Sequence, residues 1–224
     1  MDVRLVREVV VKAVLFNNNF MTTDTLLIIF TRNPDLGKVK TRLANRIGPE
    51  KALEVYQILL KKTATVTQAI STDKWVYYTP VILEEDLWDT AYFDKKVQQG
   101  KDLGERMRNA FMDGFSAGYK RVVLIGSDLY QLAPRDLEMA FEKLLNHEVV
   151  FGPATDGGYY LIGLKRTFPD IFKNKEWGEN TVLRDTLQHF KSHDVALLNQ
   201  YNDIDIYDDL KQHQVFQKYL KQYE

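Results

Sequence analysis

Cysteine is absent from this 224-residue chain. Its absence excludes disulfide bonds, thiolate metal sites and a cysteine nucleophile. Histidine is scarce, and the four histidines show no His-Glu-x-x-His or other zinc-ligand spacing. Any chemistry that the protein performs must therefore depend on other side chains, above all on its carboxylates and its cations.

A large excess of charge and long hydrophobic runs are also missing. The formal net charge is −1, which does not favour a broad nucleic-acid or membrane surface. No apolar run reaches the ~20 residues that span a bilayer. We therefore expect neither nucleic acid nor a membrane as a partner, and a cytoplasmic location, since no targeting signal is visible. The sequence leaves the oligomeric state open.

The first 20 residues alternate valine with charged residues and precede a second methionine, Met21. We interpret 1–20 as an N-terminal extension of doubtful relevance and 21–224 as the functional domain. Within that domain, short apolar runs alternate with amphipathic helical patterns. This alternation predicts a single-domain α/β sandwich with a mostly parallel central sheet. Strands are predicted at 26–30, 75–83, 96–98, 121–127, 149–151, 159–164 and 195–198, and helices at 49–70, 103–117, 134–146, 179–192 and from 207 onwards.

One buried strand ends in an acid. The apolar run 122–125 is followed directly by Gly126-Ser127-Asp128, which places a carboxylate where a parallel sheet opens onto its ligand crevice. Asp128 could hold a divalent cation, Mg²⁺ or Mn²⁺, and through it the phosphates of a nucleotide. The alternative is that Asp128 only caps the helix that begins near Pro134 or shapes the turn.

A basic cluster follows the first predicted strand. Lys38, Lys40 and Arg42 lie beside Gly37 and Thr41, a combination suited to holding phosphate together with the start of the following helix. A solvated basic turn is the alternative. The first loop of a parallel sheet is where phosphates usually lie, which favours the functional interpretation.

A second loop, Gln99 to Met107, leads from a short strand into a helix. Gly100 and Gly104 would let a planar group approach the backbone, and Gln99 could both donate to and accept from a base edge. The alternative is a simple strand–helix turn with Asp102 as the N-cap.

Two acidic segments complete the candidate site. Asp156-Gly157-Gly158 precedes an aromatic strand and would present Asp156 to a ligand. Asp203 and Asp205, two residues apart in an extended segment, would point the same way. We expect one of them to complete the metal site with Asp128 and the other to cap the last helix.

Taken in order, these motifs resemble those of the bacterial glycosyltransferase-like family linked to arsenosugar biosynthesis. This family belongs to the nucleotide-diphospho-sugar transferase superfamily and is a distant relative of phospholactate guanylyltransferase. The resemblance covers 26–210. It is carried by Lys38-Val39-Lys40-Thr41-Arg42-Leu43, Gln99-Gly100-x-Asp102-Leu103-Gly104-x-Arg106-Met107, Ile125-Gly126-Ser127-Asp128, Gly152-Pro153-x-x-Asp156-Gly157-Gly158-Tyr159-Tyr160-Leu161-Ile162-Gly163 and Asp203-Ile204-Asp205.

The resemblance implies a GT-A-type Rossmann-like fold and a metal-dependent glycosyltransferase with a nucleotide-sugar donor and a small-molecule acceptor. A nucleotidyltransferase that releases pyrophosphate from a nucleoside triphosphate, or a catalytically degenerate nucleotide-binding protein, is the alternative.

In the glycosyltransferase interpretation, Mg²⁺ or Mn²⁺ would lie at Asp128 with Asp203 or Asp205, and the candidate catalytic residues are Asp156, Lys40 and Arg42. The nucleotide would contact Lys38, Lys40, Arg42, Gln99, Gly100 and Gly104. The chain departs from the family pattern at Tyr130, where proline is usual, and at Glu179, where threonine is expected after Trp177-Gly178.

Overall fold

A computed structural model describes residues 23–220 of the protein. Its strands form one seven-stranded sheet in the order β3-β2-β1-β4-β6-β5-β7. The strands are β1 (Thr25–Arg32), β2 (Asp73–Thr79), β3 (Asp94–Val97), β4 (Arg121–Ile125), β5 (Val149–Pro153), β6 (Tyr159–Leu164) and β7 (Val195–Leu197). The α-helices are α1 (Thr41–Ile47), α2 (Pro49–Gln68), α3 (Leu103–Ser116), α4 (Pro134–Lys143) and α5 (Val182–Leu187).

The sheet is mostly parallel. β1 pairs in parallel with β2 and β4, β2 with β3, and β5 with β7, whereas β6 is antiparallel to both of its neighbours. Residues 26–29 of the central strand β1 are fully buried, as expected for a strand covered by helices on both faces. The predicted single α/β domain with a mostly parallel sheet is therefore confirmed.

Alternate residues of each strand supply two hydrophobic cores, one on each face of the sheet. Leu27 and Ile29 of β1 face α2 and α4. Leu26 and Ile28 face α3 and α5, together with the 3₁₀ turn Pro169–Phe172. The two cores make a three-layer α/β/α sandwich, the usual way for a parallel sheet to bury both of its faces.

A third cluster lies outside these layers. Leu43 and Leu59, from α1 and α2, pack against Leu210 and Phe216 near the end of the chain. The segment that supplies Leu210 and Phe216 is not the α-helix predicted from residue 207 onwards. It forms two 3₁₀ segments, Tyr207–Gln212 and Gln214–Tyr219, separated by the extended backbone of His213.

Other boundaries also differ from the sequence prediction. β2 ends at Thr79 instead of continuing to 83, and residues 81–83 form neither strand nor helix. The helix predicted at 179–192 is confined to Val182–Leu187. The extension 1–20 and the proposed start at Met21 lie outside the described residues. Between residues 23 and 220, no helix combines the length and apolarity needed to cross a membrane.

Residues 114–118, Gly-Phe-Ser-Ala-Gly, match the letters of the serine-hydrolase nucleophile elbow. That elbow must lie between a strand and the helix that follows it. Here the five residues end α3 and lead towards β4, with Ser116 exposed. This geometry does not support a serine-hydrolase site.

Candidate nucleotide-binding crevice

A polar crevice opens at the carboxyl ends of β1 and β4. The chain runs from β1 through β2 to β3 on one side, and returns to place β4 on the other side of β1. This reversal is a topological switch point, where open α/β sheets bind ligands. The crevice has a volume of about 570 Å³, and its lining includes Arg32, Lys38, Lys40, Arg42, Tyr56, Gln98, Asp102, Arg106, Ser127, Asp128 and Asp205.

Lys40 lies at the centre of an ion-pair network in this crevice. Its Nζ is 2.8 Å from Oδ2 of Asp128 and 4.0 Å from Oδ1 of Asp205, and Nη1 of Arg42 is 2.9 Å from Oδ2 of Asp205. Burial lowers the pKa of Lys40, but the carboxylates of Asp128 and Asp205 outweigh that effect, so its pKa is raised. Lys40 is therefore a cation, and only 5% of its side chain is exposed.

Asp203 lies beside this network. The pKa of Asp203 is raised to about 7, first by burial and then by the nearby charges of Asp128, Asp156 and Asp205, against the opposing effect of Lys40. Its Oδ1 is buried and has no hydrogen-bond partner among residues 23–220. The structure thus brings together all four acids that the sequence motifs single out.

The carboxylates of this site are of the right chemical type to bind a metal ion, but they are few. Hard carboxylate oxygens are the ligands that Mg²⁺ and Mn²⁺ prefer. Within the described part of the chain, no three acidic or histidine side chains are placed to hold a metal on their own. Mg²⁺ is commonly bound by one or two carboxylates plus substrate phosphates. Asp128 with Asp203 or Asp205 fits that smaller set, and the unpartnered Oδ1 of Asp203 is available for it.

The helix-capping roles weighed for these acids do not hold. Helix α4 is capped by Asp136, whose Oδ2 accepts the backbone N–H of Ala133, so Asp128 is not its cap. The prediction that Asp203 or Asp205 caps the last helix is wrong, because Asp209 accepts the backbone N–H groups of Asp205 and Ile206.

The second candidate loop is built partly as expected. Asp102 is the N-cap of α3 and accepts the backbone N–H of Glu105 at 2.9 Å. Gln98 lines the crevice, and its side-chain amide donates to the carbonyls of Thr31 and Tyr77. Its neighbour Gln99 is exposed and is not among the lining residues. The structure thus favours Gln98 over Gln99 at this position, while nucleotide binding by Gln99 stays a prediction.

The two glycines of that loop pack internally. A Cβ at Gly104 would collide with the carbonyl oxygen of Phe172 and approach the Trp177 ring to 2.7 Å. A Cβ at Gly100 would lie 2.7 Å from the backbone nitrogen of Arg106. The planar group held against Gly104 is therefore an indole of the protein itself. Contacts of either glycine with a nucleotide stay predictions.

Tyr56 of α2 joins the two strands that flank the crevice. Its hydroxyl accepts the backbone N–H of Arg32 at 3.0 Å and donates to the carbonyl of Arg32 at 3.1 Å. It also lies 3.4 Å from the hydroxyl of Ser127, which follows β4. Sequence reasoning treated position 56 only as part of a helix and did not identify it, nor the lining cations Arg32 and Arg106.

A second pocket of about 250 Å³ adjoins the crevice, and Phe30, Leu103 and Gly126 line both. The Asp156 turn forms part of its wall, and the Asp156 carboxylate accepts the backbone N–H of Gly158 at 2.9 Å. Its remaining lining is Met107, Leu124, Gly158, Tyr159, Tyr160, Ile162, Trp177, Gly178, Glu179, Val182 and Asp203. The motifs at 152–163 and 177–182 therefore meet at one pocket.

The two departures from the family pattern fall in different places. Glu179 lines the second pocket. The Tyr130 ring packs instead against Phe216 and His213, with ring centroids 5.2 and 5.0 Å away. The tyrosine thus contributes to the contact with the C-terminal segment, and it is not among the lining residues of the crevice or the second pocket.

Solved structures share this fold. A Desulfovibrio desulfuricans G20 protein, provisionally named a nucleotide-diphospho-sugar transferase, is 30% identical with a TM-score of 0.79, over 89% of this chain and 95% of that one. A 4-diphosphocytidyl-2C-methyl-D-erythritol synthase is 11% identical, with a TM-score of 0.54 over 86% and 97% of the two chains. A homologue of Mycobacterium tuberculosis Rv0371c from Mycobacterium sp. strain JC1 is 12% identical, with a TM-score of 0.52 over 89% and 98%.

The last two likenesses are too distant in sequence to show more than a common fold. No curated protein matches the chain. The profile of a bacterial family matches residues 62–179, from the middle of α2 to the rim of the second pocket, and that family is described as "Uncharacterized protein conserved in bacteria (DUF2064)". By this match, the chain belongs to the DUF2064 family.

Proposed function

We propose that the protein is a metal-dependent glycosyltransferase that uses a nucleotide-sugar donor. The proposal rests on one observation: two cavities of different character lie side by side at the switch point of the sheet. One is a polar crevice rich in cations, and the other is a smaller pocket that contains Asp156. Such an arrangement suits a donor diphosphate in the crevice and an acceptor in the pocket.

Lys38, Lys40 and Arg42 would bind the donor phosphates, Lys as a point charge and Arg as a bidentate fork. Asp128, with Asp203 or Asp205, would hold Mg²⁺ or Mn²⁺. A bound ion would supply charge neutralisation at the departing diphosphate. Lys40 is already held between two of these acids, so its ammonium is positioned to stabilise the same developing charge.

On the acceptor side, Asp156 would bind the acceptor hydroxyl and take its proton. The hydroxyl oxygen would form a bond to the anomeric carbon of the sugar. The bond from that carbon to the diphosphate oxygen would break, and its electron pair would leave with the diphosphate. Exposure of Asp156 at the pocket wall supports this assignment.

The proposal also includes the specific family relations that the sequence motifs suggest. The ordered motifs of this chain support a link to arsenosugar biosynthesis and a distant relation to phospholactate guanylyltransferase. The 30% identity to the Desulfovibrio protein is consistent with the superfamily named by that resemblance.

A nucleotidyltransferase is the second candidate, and one observation favours it. Arg32 and Arg106 also line the crevice, in addition to Lys38, Lys40 and Arg42, the cations of the loop after β1, here called the basic loop. This number of cations suits a triphosphate as well as a diphosphate. In that reaction Lys40 and Arg42 would stabilise charge at the α-phosphate and at the leaving pyrophosphate.

The test is calorimetric titration of nucleotide sugars, nucleoside diphosphates and nucleoside triphosphates, each with and without Mn²⁺, on the wild type and Asp128→Asn. We expect Mn²⁺ to strengthen the binding of a nucleotide sugar at least tenfold in the wild type and not in the variant. Asp35→Asn is the matched control, because Asp35 pairs with Lys38 at the surface of the same loop, outside the crevice lining.

Product analysis then separates the candidates. Release of a nucleoside diphosphate supports glycosyl transfer, and release of pyrophosphate supports nucleotidyl transfer. Tight binding without turnover of any donor would identify a degenerate nucleotide-binding protein. Equal Mn²⁺ enhancement in Asp128→Asn and the wild type would contradict the metal assignment.

A further inference from the structure

The two adjoining cavities differ in the sign of their charge. The polar crevice contains Lys and Arg side chains from both of its sides. The second pocket is lined by three acids, Asp156, Glu179 and Asp203, and its lining includes no lysine, arginine or histidine. A phosphate is therefore attracted to one cavity and repelled from the other.

We infer that the acceptor is a small alcohol that has an apolar face and carries no negative charge, and that Glu179 enforces this selection. The inference rests on the proposed glycosyltransferase function. It goes further in naming the chemical class of the acceptor and the residue that sets it.

Two of the acids that line the second pocket are Asp156 and Glu179. Both are exposed acidic side chains. An anionic group that enters the pocket must approach both carboxylates while giving up water, and no cation in the lining offsets this cost. Unpaired like charge is an effective way for a site to reject a ligand.

Apolar and aromatic side chains form most of the remaining walls of the second pocket. Trp177 is fixed by its contact with Gly104, where a side chain would have no room. Met107, Leu124 and Ile162 contribute further apolar surface to the same pocket. A rigid indole face is suited to stacking with an aromatic ring or with the C–H face of a sugar. The volume of about 250 Å³ favours a small ring compound over a second nucleotide.

Tyr159 adds a phenol hydroxyl to the polar groups of the residues that line the second pocket. Tyr159, which lines the pocket, has a buried hydroxyl without a hydrogen-bond partner among residues 23–220. Burial raises the pKa of this hydroxyl, so it is a neutral donor. A neutral donor satisfies an ether or hydroxyl oxygen without requiring a charged ligand.

Glu179 is the residue with which to test selection. It occupies the position where the family pattern has threonine, it lines the pocket and it is exposed, so its substitution should not disturb the fold. Glu176 provides a matched control, since it is an exposed glutamate of the same segment that does not line the pocket.

The experiment compares three alcohols built on one ring: benzyl alcohol, its 4-aminomethyl derivative and its 4-carboxylate. Binding of each is measured by ligand-observed NMR, first to the protein alone and then with Mn²⁺ and a saturating nucleoside diphosphate. We expect the neutral and cationic alcohols to bind, and the carboxylate to bind about tenfold more weakly, the equivalent of ~1.4 kcal/mol. Glu179→Gln should reduce this difference to about threefold, and Glu176→Gln should leave it unchanged.

Equal or tighter binding of the carboxylate overturns the inference, and so does failure of both other alcohols to bind at 10 mM. If Glu179→Gln leaves the affinity difference between the carboxylate and the other two alcohols unchanged, the claim that Glu179 sets the selection is overturned. Nucleotide affinity is measured in the same samples. If the wild type did not bind a nucleotide, the proposed function would be contradicted. The affinities of the three alcohols would still test the charge selection of the second pocket.

Discussion

Lys40 has an unusual backbone for its residue type. Its φ of 47° lies in the left-handed region, which is uncommon for residues other than glycine, asparagine and aspartate. Such conformations persist where the surroundings fix them, often at functional sites. Here the surroundings are Asp128 and Asp205, which hold the ammonium in place. From the sequence, Lys40 is predicted to bind phosphate, and that role stays a prediction, whereas its pairing with an acid 88 residues further along the chain could not be predicted.

Asp203 leads to a prediction about pH. Its pKa is about 7 in the folded protein and about 3.9 in an unfolded chain. Between these values the folded state binds a proton that the unfolded state lacks, so this group lowers stability as pH rises from about 4 to 7. Asp203→Asn removes the effect. With metal chelated, we expect the variant to exceed the wild type in free energy of unfolding by on the order of 2 kcal/mol at pH 8.

Urea denaturation at pH 5 and pH 8 measures this gain, which should be smaller at pH 5, where Asp203 of the folded wild type is protonated. The control is Asp205→Asn, which removes a half-exposed carboxylate from the same segment. It should give no gain at pH 8, because water already solvates that charge and Arg42 loses a partner. If Asp203→Asn raised the free energy of unfolding equally at both pH values, the raised pKa of Asp203 would be contradicted.

At the scale of elements, helix α2 fixes the crevice through one hydroxyl. Tyr56→Phe deletes the hydrogen bonds to both backbone groups of Arg32 and leaves the ring packed in the core. We expect a loss of about 1–2 kcal/mol in the free energy of unfolding. We also expect nucleotide affinity to fall several-fold, because the end of β1 is no longer tied to α2. Urea denaturation and calorimetric titration measure the two effects.

Tyr119→Phe is the matched control. The Tyr119 hydroxyl donates to Asp73 at 2.8 Å, at the amino end of β2 and on the opposite edge of the sheet from the crevice. The same chemical change should lower stability by a similar amount and leave nucleotide affinity unchanged. If both variants weaken binding equally, Tyr56 has no specific role at the site.

The sequence predicted where the strands lie along the chain better than it predicted the residues at which they end. The apolar runs of β1 and β4 were found because strands buried on both faces are continuously apolar. The apolar triplet 81–83 resembled a continuation of β2, yet Val81 is 54% exposed. The chain turns away there, and the Asp86 carboxylate, a few residues further on, contacts Tyr78 and Lys95. Pro80, which directly follows Thr79 and has no backbone N–H to pair, is a local sequence signal for this end.

Strand pairing also explains why the sequence singled out Gln99 although Gln98 lines the crevice. Gln98 and Gln99 are adjacent, and successive residues of an extended segment face opposite ways. Which of them faces the crevice depends on the register of β3 against β2, and that register is set by pairing and not by the composition of the loop.

At the scale of the whole molecule, the last described segment stabilises the half that carries the basic loop. Phe216 is fully buried against residues of α1 and α2. We expect Phe216→Ala to lower the free energy of unfolding by about 3–5 kcal/mol, as for other buried phenylalanines. Val215→Ala, at a neighbouring position that is 38% exposed, should change it by less than about 0.5 kcal/mol.

Urea denaturation of both variants and the wild type provides the comparison. Similar small losses for the two variants would mean that this segment contributes little to the third cluster. In that case the aromatic contact of Tyr130 with Phe216 would not account for the tyrosine that replaces the usual proline.

The reversed strand β6 has an evolutionary consequence. Because β6 runs against its neighbours, the hairpin that joins β5 to β6 emerges at the same edge as the basic loop. A hairpin can change its length and its side chains without moving the strands that it connects. Under the proposed function, the half containing β1 to β4 would keep one phosphate-bearing donor while the hairpin diversifies. In that case, we expect relatives with this topology to differ in acceptor through changes in this one turn.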